Sequence, residues 1–124
     1  MTETWSIEFY QDKNGISPVK VFQEASLTSG EQKQLQVRLK LLKSKGLLLL
    51  RERSDILKQI KGEKKLYELR LDNTPNNPRI FLCALTGKRL IFLHGFKKKG
   101  QKTPKLEIEI AVRRRDQLME EEKS

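Results

Sequence analysis

Cysteine and histidine are nearly missing from this chain, with one of each in 124 residues, and the shortage removes several kinds of chemistry. A lone Cys83 excludes an internal disulfide, and with His94 as the one histidine no Cys/His set has the spacing of a structural zinc site. Carboxylates are the other route to a divalent cation, but the acidic residues lie mostly in helix-like segments or in the tail "EEEK", and no compact cluster stands beside a strand. No metal is expected. Long apolar runs are missing too. Nothing approaches the roughly 20 residues that cross a bilayer, and the start "MTETWSIEFYQDKNG" lacks the basic and apolar regions of a signal peptide. The expected location is the cytoplasm, with no membrane partner. No Ser/His/Asp order, Walker loop or dinucleotide fingerprint is present, so no cofactor is expected. Internal repeats and low-complexity linkers are absent as well.

Positive charge is what the chain has in excess. Lys and Arg number 26 against 16 Asp and Glu, a formal net charge of +10, and such a field attracts polyanions, nucleic acid first among them. The length suits one domain with a real core and one site.

Hydrophobic periodicity divides the chain into elements. "TWSIEFY" sets Trp5, Ile7 and Phe9 against Ser6 and Glu8, the alternation of a half-buried strand. "ISPVKVFQEAS" offers Ser17 as a helix N-cap and Pro18 at the first helical position. In "TSGEQKQLQVRLKLLKSKG" the residues Leu35, Leu39 and Leu42 form a stripe that ends at Gly46 as C-cap, so a second helix follows closely and an antiparallel pair is expected. The run "LLLLRERSD" reads as a connection. From Ile56 the pattern becomes short strands, "ILKQIK", "KLYELRL", "RIFLCAL" and "RLIFLHGF", separated by turn compositions. Thr103 and Pro104 then read as N-cap and first-turn proline of a last helix. The expected fold is α+β, a mostly antiparallel sheet with an N-terminal helical hairpin on one face and a C-terminal helix, leaving the other sheet face free to bind.

Within that layout the basic residues gather. In "KLYELRL" Glu68 and Arg70 point away from the apolar set Tyr67, Leu69 and Leu71. Arg79 opens the next strand, and "HGFKKKGQKTP" places Lys97, Lys98, Lys99 and Lys102 within six positions at the end of the last one. Antiparallel pairing would bring these groups to one concave patch suited to a phosphate. Each has a structural reading as well: Arg70 paired with Glu68, Arg79 as a turn residue, and the lysines as a hydrophilic edge that blocks aggregation. His94 in "IFLHGF" and Cys83 in "FLCAL" read as core residues, as does Trp5, whereas Tyr67 is a candidate for stacking on RNA bases.

The segments "LYELRL", "PRIFLCAL" and "LIFLHGFKKKGQKTPKLEIEIA" together resemble the phage-derived HigB group of the RelE/ParE toxin superfamily. The likeness is clear over residues 55–113, and the two-helix first half agrees in layout. The resemblance implies a single RelE-like domain over residues 1–119; the acidic tail at 120–124 is expected to fray, because its charges oppose the dipole at a helix C-terminus. It also implies the toxin of a type II toxin–antitoxin system, a metal-independent endoribonuclease that cleaves mRNA on the ribosome and is held inactive by a helix-turn-helix antitoxin. In that chemistry the 2′-OH attacks its neighbouring phosphate. Arg70 and Arg79 match the family's strand arginines and would stabilise the transition state. Lys97 and Lys98 match its terminal basic cluster and would position the phosphate, with a part in proton transfer. Glu68 is a candidate base by geometry only, and Lys64, Lys65, Lys99 and Lys102 would extend the RNA track. Two other readings fit the same residues: a non-catalytic RNA- or ribosome-binding module, and an inactive phage remnant that still binds an antitoxin.

Overall fold

The computed structural model describes residues 4–71, 74, 77–100 and 104–123. Its elements are β1 (Ser6–Phe9), α1 (Pro18–Ser26), α2 (Ser29–Lys45), a 3-10 turn (Gly46–Leu48), α3 (Leu49–Glu52), β2 (Leu57–Gln59), β3 (Leu66–Arg70), β4 (Pro78–Leu85), β5 (Arg89–Lys97) and α4 (Lys105–Glu122). The strands form one sheet in the order β1-β5-β4-β3-β2. Only the β1–β5 pair is parallel.

Local chemistry fixes the helix starts. The Ser17 hydroxyl accepts the Lys20 N–H at 3.3 Å ahead of Pro18. At α2 the Thr28 hydroxyl accepts the Glu31 N–H while the Glu31 carboxylate accepts the Thr28 N–H, a reciprocal cap that satisfies two otherwise orphaned donors. The four-leucine run, expected to be a connection, is helical instead. Leu49 is fully buried and Leu47 and Leu50 pack beside it, so an apolar cluster holds the short turn that propensity alone would not. Thr103 lies outside the described residues. The last helix begins at Lys105, with Pro104 in the cap position at ψ 133, one residue later than the sequence reading.

Both faces of the sheet are covered, which corrects the expectation of a free one. Val19, Leu35, Leu42, Leu49, Leu69, Leu82 and Phe92 form a core beneath α1, α2 and α3. On the opposite face Leu66, Phe81, Cys83, Ile91 and Phe96 pack against Ala111, Ile108, Val112 and Met119 of α4. The strands β4 and β5 are apolar almost throughout because each side of them meets a helical layer. α1 packs chiefly on β5, and α2 on β1 and the turn that follows it. The acidic end, expected to fray from residue 120, continues as helix through Glu122, whose carboxylate meets Arg89 at 3.3 Å.

One irregularity decides what the end of β5 displays. Phe81 pairs with His94 but Leu82 with Phe92, so Leu93 is an extra residue in β5. The bulge shifts the alternation by one. His94 and Phe96 therefore join the α4 face, while Gly95 faces α1, where the Phe22 ring lies against it.

Cys83 is enclosed in the α4-side core, and burial pushes its thiol up to about 12. The native protein should therefore resist thiol reagents at pH 8 and yield one reactive thiol on unfolding, because the thiolate is the nucleophile. The raised value also means that whatever stability the neutral thiol contributes is complete below its ordinary value near 9 and is lost as pH climbs towards 12. Rapid labelling of the folded chain at pH 8 would show the site to be open.

Candidate active site at the sheet rim

Arg70 ends β3 and Arg79 stands near the start of β4, and the register sets them directly opposite each other. Alternation carries both side chains to the α4 face together with Glu68, since Tyr67, Leu69 and Leu71 belong to the core on the other side. Like charges at opposed positions repel. The Glu68 carboxylate offsets that repulsion: its Oε1 accepts from Arg70 Nε at 2.8 Å and lies 3.9 Å from Arg79 Nε. Arg79 also donates from Nη1 to the Pro78 carbonyl at 3.1 Å.

Exposure grades across the group. The Glu68 side chain is 3% exposed, Arg79 13% and Arg70 27%. Two guanidiniums share one buried carboxylate, so the cluster carries an excess positive charge where solvent screens poorly. Planar forked donors in such a place suit a phosphate or phosphodiester oxygen.

Further along the α4 face is His94, read from the sequence as a core residue with a satisfied ring nitrogen. His94 is partly buried, its Nε2 is 3.0 Å from Glu107 Oε2, and its Nδ1 is 3.4 Å from Arg114 Nη1. The ring stacks on Phe96 at 5.9 Å, and Phe96 is the cross-strand partner of Arg79. Arg114 donates to the carbonyl of the bulged Leu93 at 2.7 Å. Only the bulge turns His94 to this face, and bulges leave no reliable mark in a sequence. The sequence reading passed over Arg38 of α2, which is buried, with its Nε donating to the Arg70 carbonyl at 3.0 Å.

The remaining basic residues divide. Lys97 follows Phe96 and by alternation points to the α1 side, away from the arginine pair. Lys98 is half-buried and donates its N–H to the Asn77 carbonyl at 3.0 Å, next to the start of β4. Lys99 is exposed beyond it. Lys64 and Lys65 precede β3, so Lys65 is five residues from Arg70, about 16 Å along an extended strand. It borders Leu85, Thr86 and Met119 at the other end of the sheet. Lys64 and Lys65 are thus not brought to the arginine pair. Tyr67 is 7% exposed within the core under α1–α3, and burial pushes its phenol up, so its ring offers no stacking surface. Lys102 lies outside the described residues.

Among the described residues no group of three or more His, Cys, Asp or Glu is placed to hold a metal ion, and no helix is long and apolar enough to cross a membrane. No curated protein matches the chain significantly. The family described as phage derived protein Gp49-like (DUF891) matches residues 25–116, a span running from the end of α1 through β5 into α4 and including Glu68, Arg70, Arg79 and His94. By that match the chain belongs to the Gp49-like phage-derived family, a RelE/HigB-type family of toxins from toxin–antitoxin systems.

Proposed function

We propose that this chain is a toxin of the HigB group that cleaves mRNA on the ribosome without a metal, and that a helix-turn-helix antitoxin restrains it. The observation that carries the reading is the opposed Arg70–Arg79 pair with the buried Glu68 between them. Attack by a 2′-OH on the adjacent phosphorus builds up negative charge on its non-bridging oxygens, and two preorganised guanidiniums meet that charge without reorganising. The 2′-OH loses its proton to a base, the P–O5′ bond breaks, and the departing oxygen gains a proton. The products are a 2′,3′-cyclic phosphate and a 5′-OH end.

Glu68, engaged with both arginines, serves them as counter-ion in this reading. His94 has both ring nitrogens held, by Glu107 and Arg114, so the proton transfer in this reading falls to Lys98 at the rim. Lys98 and Lys99 hold the flanking RNA backbone. The deciding experiment is primer extension on mRNA in a translation reaction to which the purified chain is added. New ends bearing 5′-OH are expected, and only while ribosomes are translating. Salt-sensitive RNA binding with no new ends would instead establish a binding module on this fold.

A further inference from the structure

Arg38 lies on the stripe of α2 that otherwise turns Leu35 and Leu42 into the core, and it is 8% exposed. A guanidinium in that setting costs free energy unless its donors are engaged. Among its contacts, Nε donates to the Arg70 carbonyl at 3.0 Å, and Nη2 donates to Gln34 Oε1 at 3.4 Å. Arg70 is tied at its other groups too. Its N–H donates to the Ile56 carbonyl at 2.8 Å, and its side-chain Nε donates to Glu68. The carbonyl that Arg38 holds belongs to the last residue of β3, just before the Leu71 N–H that donates to the Pro78 carbonyl at 3.4 Å.

We infer that Arg38 is a positioning residue, which clamps the carboxyl end of β3 from the helical layer and so fixes the direction in which Arg70 presents its guanidinium on the opposite face. Arg38 never reaches the phosphate, because it stands on the other side of the sheet. Its action on Arg70 passes through the backbone carbonyl that it holds. Lysine is a poor substitute, since a point charge on a flexible stem cannot hold the carbonyl and Gln34 from one rigid plane. The phosphate in this inference comes from the ribonuclease reading, but the clamp itself can be tested without it.

Two readouts are combined on wild type, Arg38→Met and Arg38→Lys. The first is the NMR signal of the Arg70 Nε–H group, assigned by its loss in Arg70→Lys. It is expected to be sharp in wild type and to shift and broaden in Arg38→Met, with only partial recovery in Arg38→Lys. The second is cleavage of mRNA. Arg38→Met is expected to lower kcat by roughly 10- to 100-fold with KM within about twofold, since small misplacement of a catalytic group has effects of that size. On an Arg70→Ala background the same substitution should cause no further loss, because both changes act through one group. An unchanged Arg70 Nε–H signal in folded Arg38→Met overturns the inference, and so does a loss of kcat that recurs undiminished on the Arg70→Ala background. If Arg38→Met does not fold, Arg38→Lys carries both comparisons. If Arg70→Ala alone cleaves at the wild-type rate, the ribonuclease reading of the site fails, while the NMR signal still decides the clamp.

Discussion

Arg79→Ala is expected to reduce the rate of RNA cleavage by about 10²- to 10³-fold, the loss seen when one preorganised donor is taken from a developing oxyanion. Of the two opposed arginines, Arg79 is the less exposed and sits on the inner strand β4, flanked by β3 and β5. Its charge is therefore the less screened of the two. The substitution also touches stability. Removing one partner from a buried ion pair costs about 3–5 kcal/mol when the other charge is left alone. Glu68 keeps Arg70 at 2.8 Å, so the cost here should fall below that range and the chain should remain folded. Arg79→Lys separates charge from geometry: it restores a cation without the planar fork and should recover only part of the rate. Cleavage assays run beside thermal unfolding make the comparison. A folded Arg79→Ala chain that cleaves at the wild-type rate would detach the arginine pair from the chemistry.

That pair was readable from the sequence because it depends on parity. Residues 67–71 alternate apolar and charged, and Tyr67, Leu69 and Leu71 announce the face on which Glu68 and Arg70 cannot lie. Antiparallel pairing of consecutive strands then sets the end of β3 near the start of β4. What could not be read depends on events that change parity or layer. The extra residue at Leu93 exchanges the faces of everything after it, so His94 moves toward the arginines and Lys97 away from them. An unbroken strand would have done the reverse. The second helical layer was obscured for a related reason: β4 and β5 are apolar on both faces, a pattern compatible with one covered face and crowding, or with two covered faces. Arg38 was hidden because an arginine within an amphipathic helix reads as solvated. Its burial is a property of the β3 terminus it meets, which helical periodicity does not encode.

The largest effect on stability is expected at Gly46, far from any phosphate. Gly46→Ala should lower stability by about 3–5 kcal/mol and the thermal midpoint by on the order of 10–20 °C. The residue caps α2 by donating its N–H to the Leu42 carbonyl, with φ at 54 and ψ at −131, backbone angles that favour glycine strongly and would cost a side chain of ordinary handedness about 1–3 kcal/mol. Space is the second obstacle. A Cβ at this position would fall inside the Trp5 indole, which lies flat against the glycine. Trp5 cannot move away freely, because its backbone N–H is anchored to the Lys43 carbonyl at 2.8 Å and its ring lies under the Lys88 ammonium. Displacing the ring exposes about 100 Å² of apolar surface, roughly 2.5 kcal/mol, and loosens the strand β1 that follows. Gly62→Ala provides the control. Its φ of 84 carries a comparable backbone penalty, but nothing lies within 4 Å of an added Cβ, so that variant should lose only the backbone part, about 1–2 kcal/mol. Chemical denaturation of the two variants measures the difference directly. Equal losses would mean that the tryptophan contributes nothing to joining the amino-terminal strand to the end of α2.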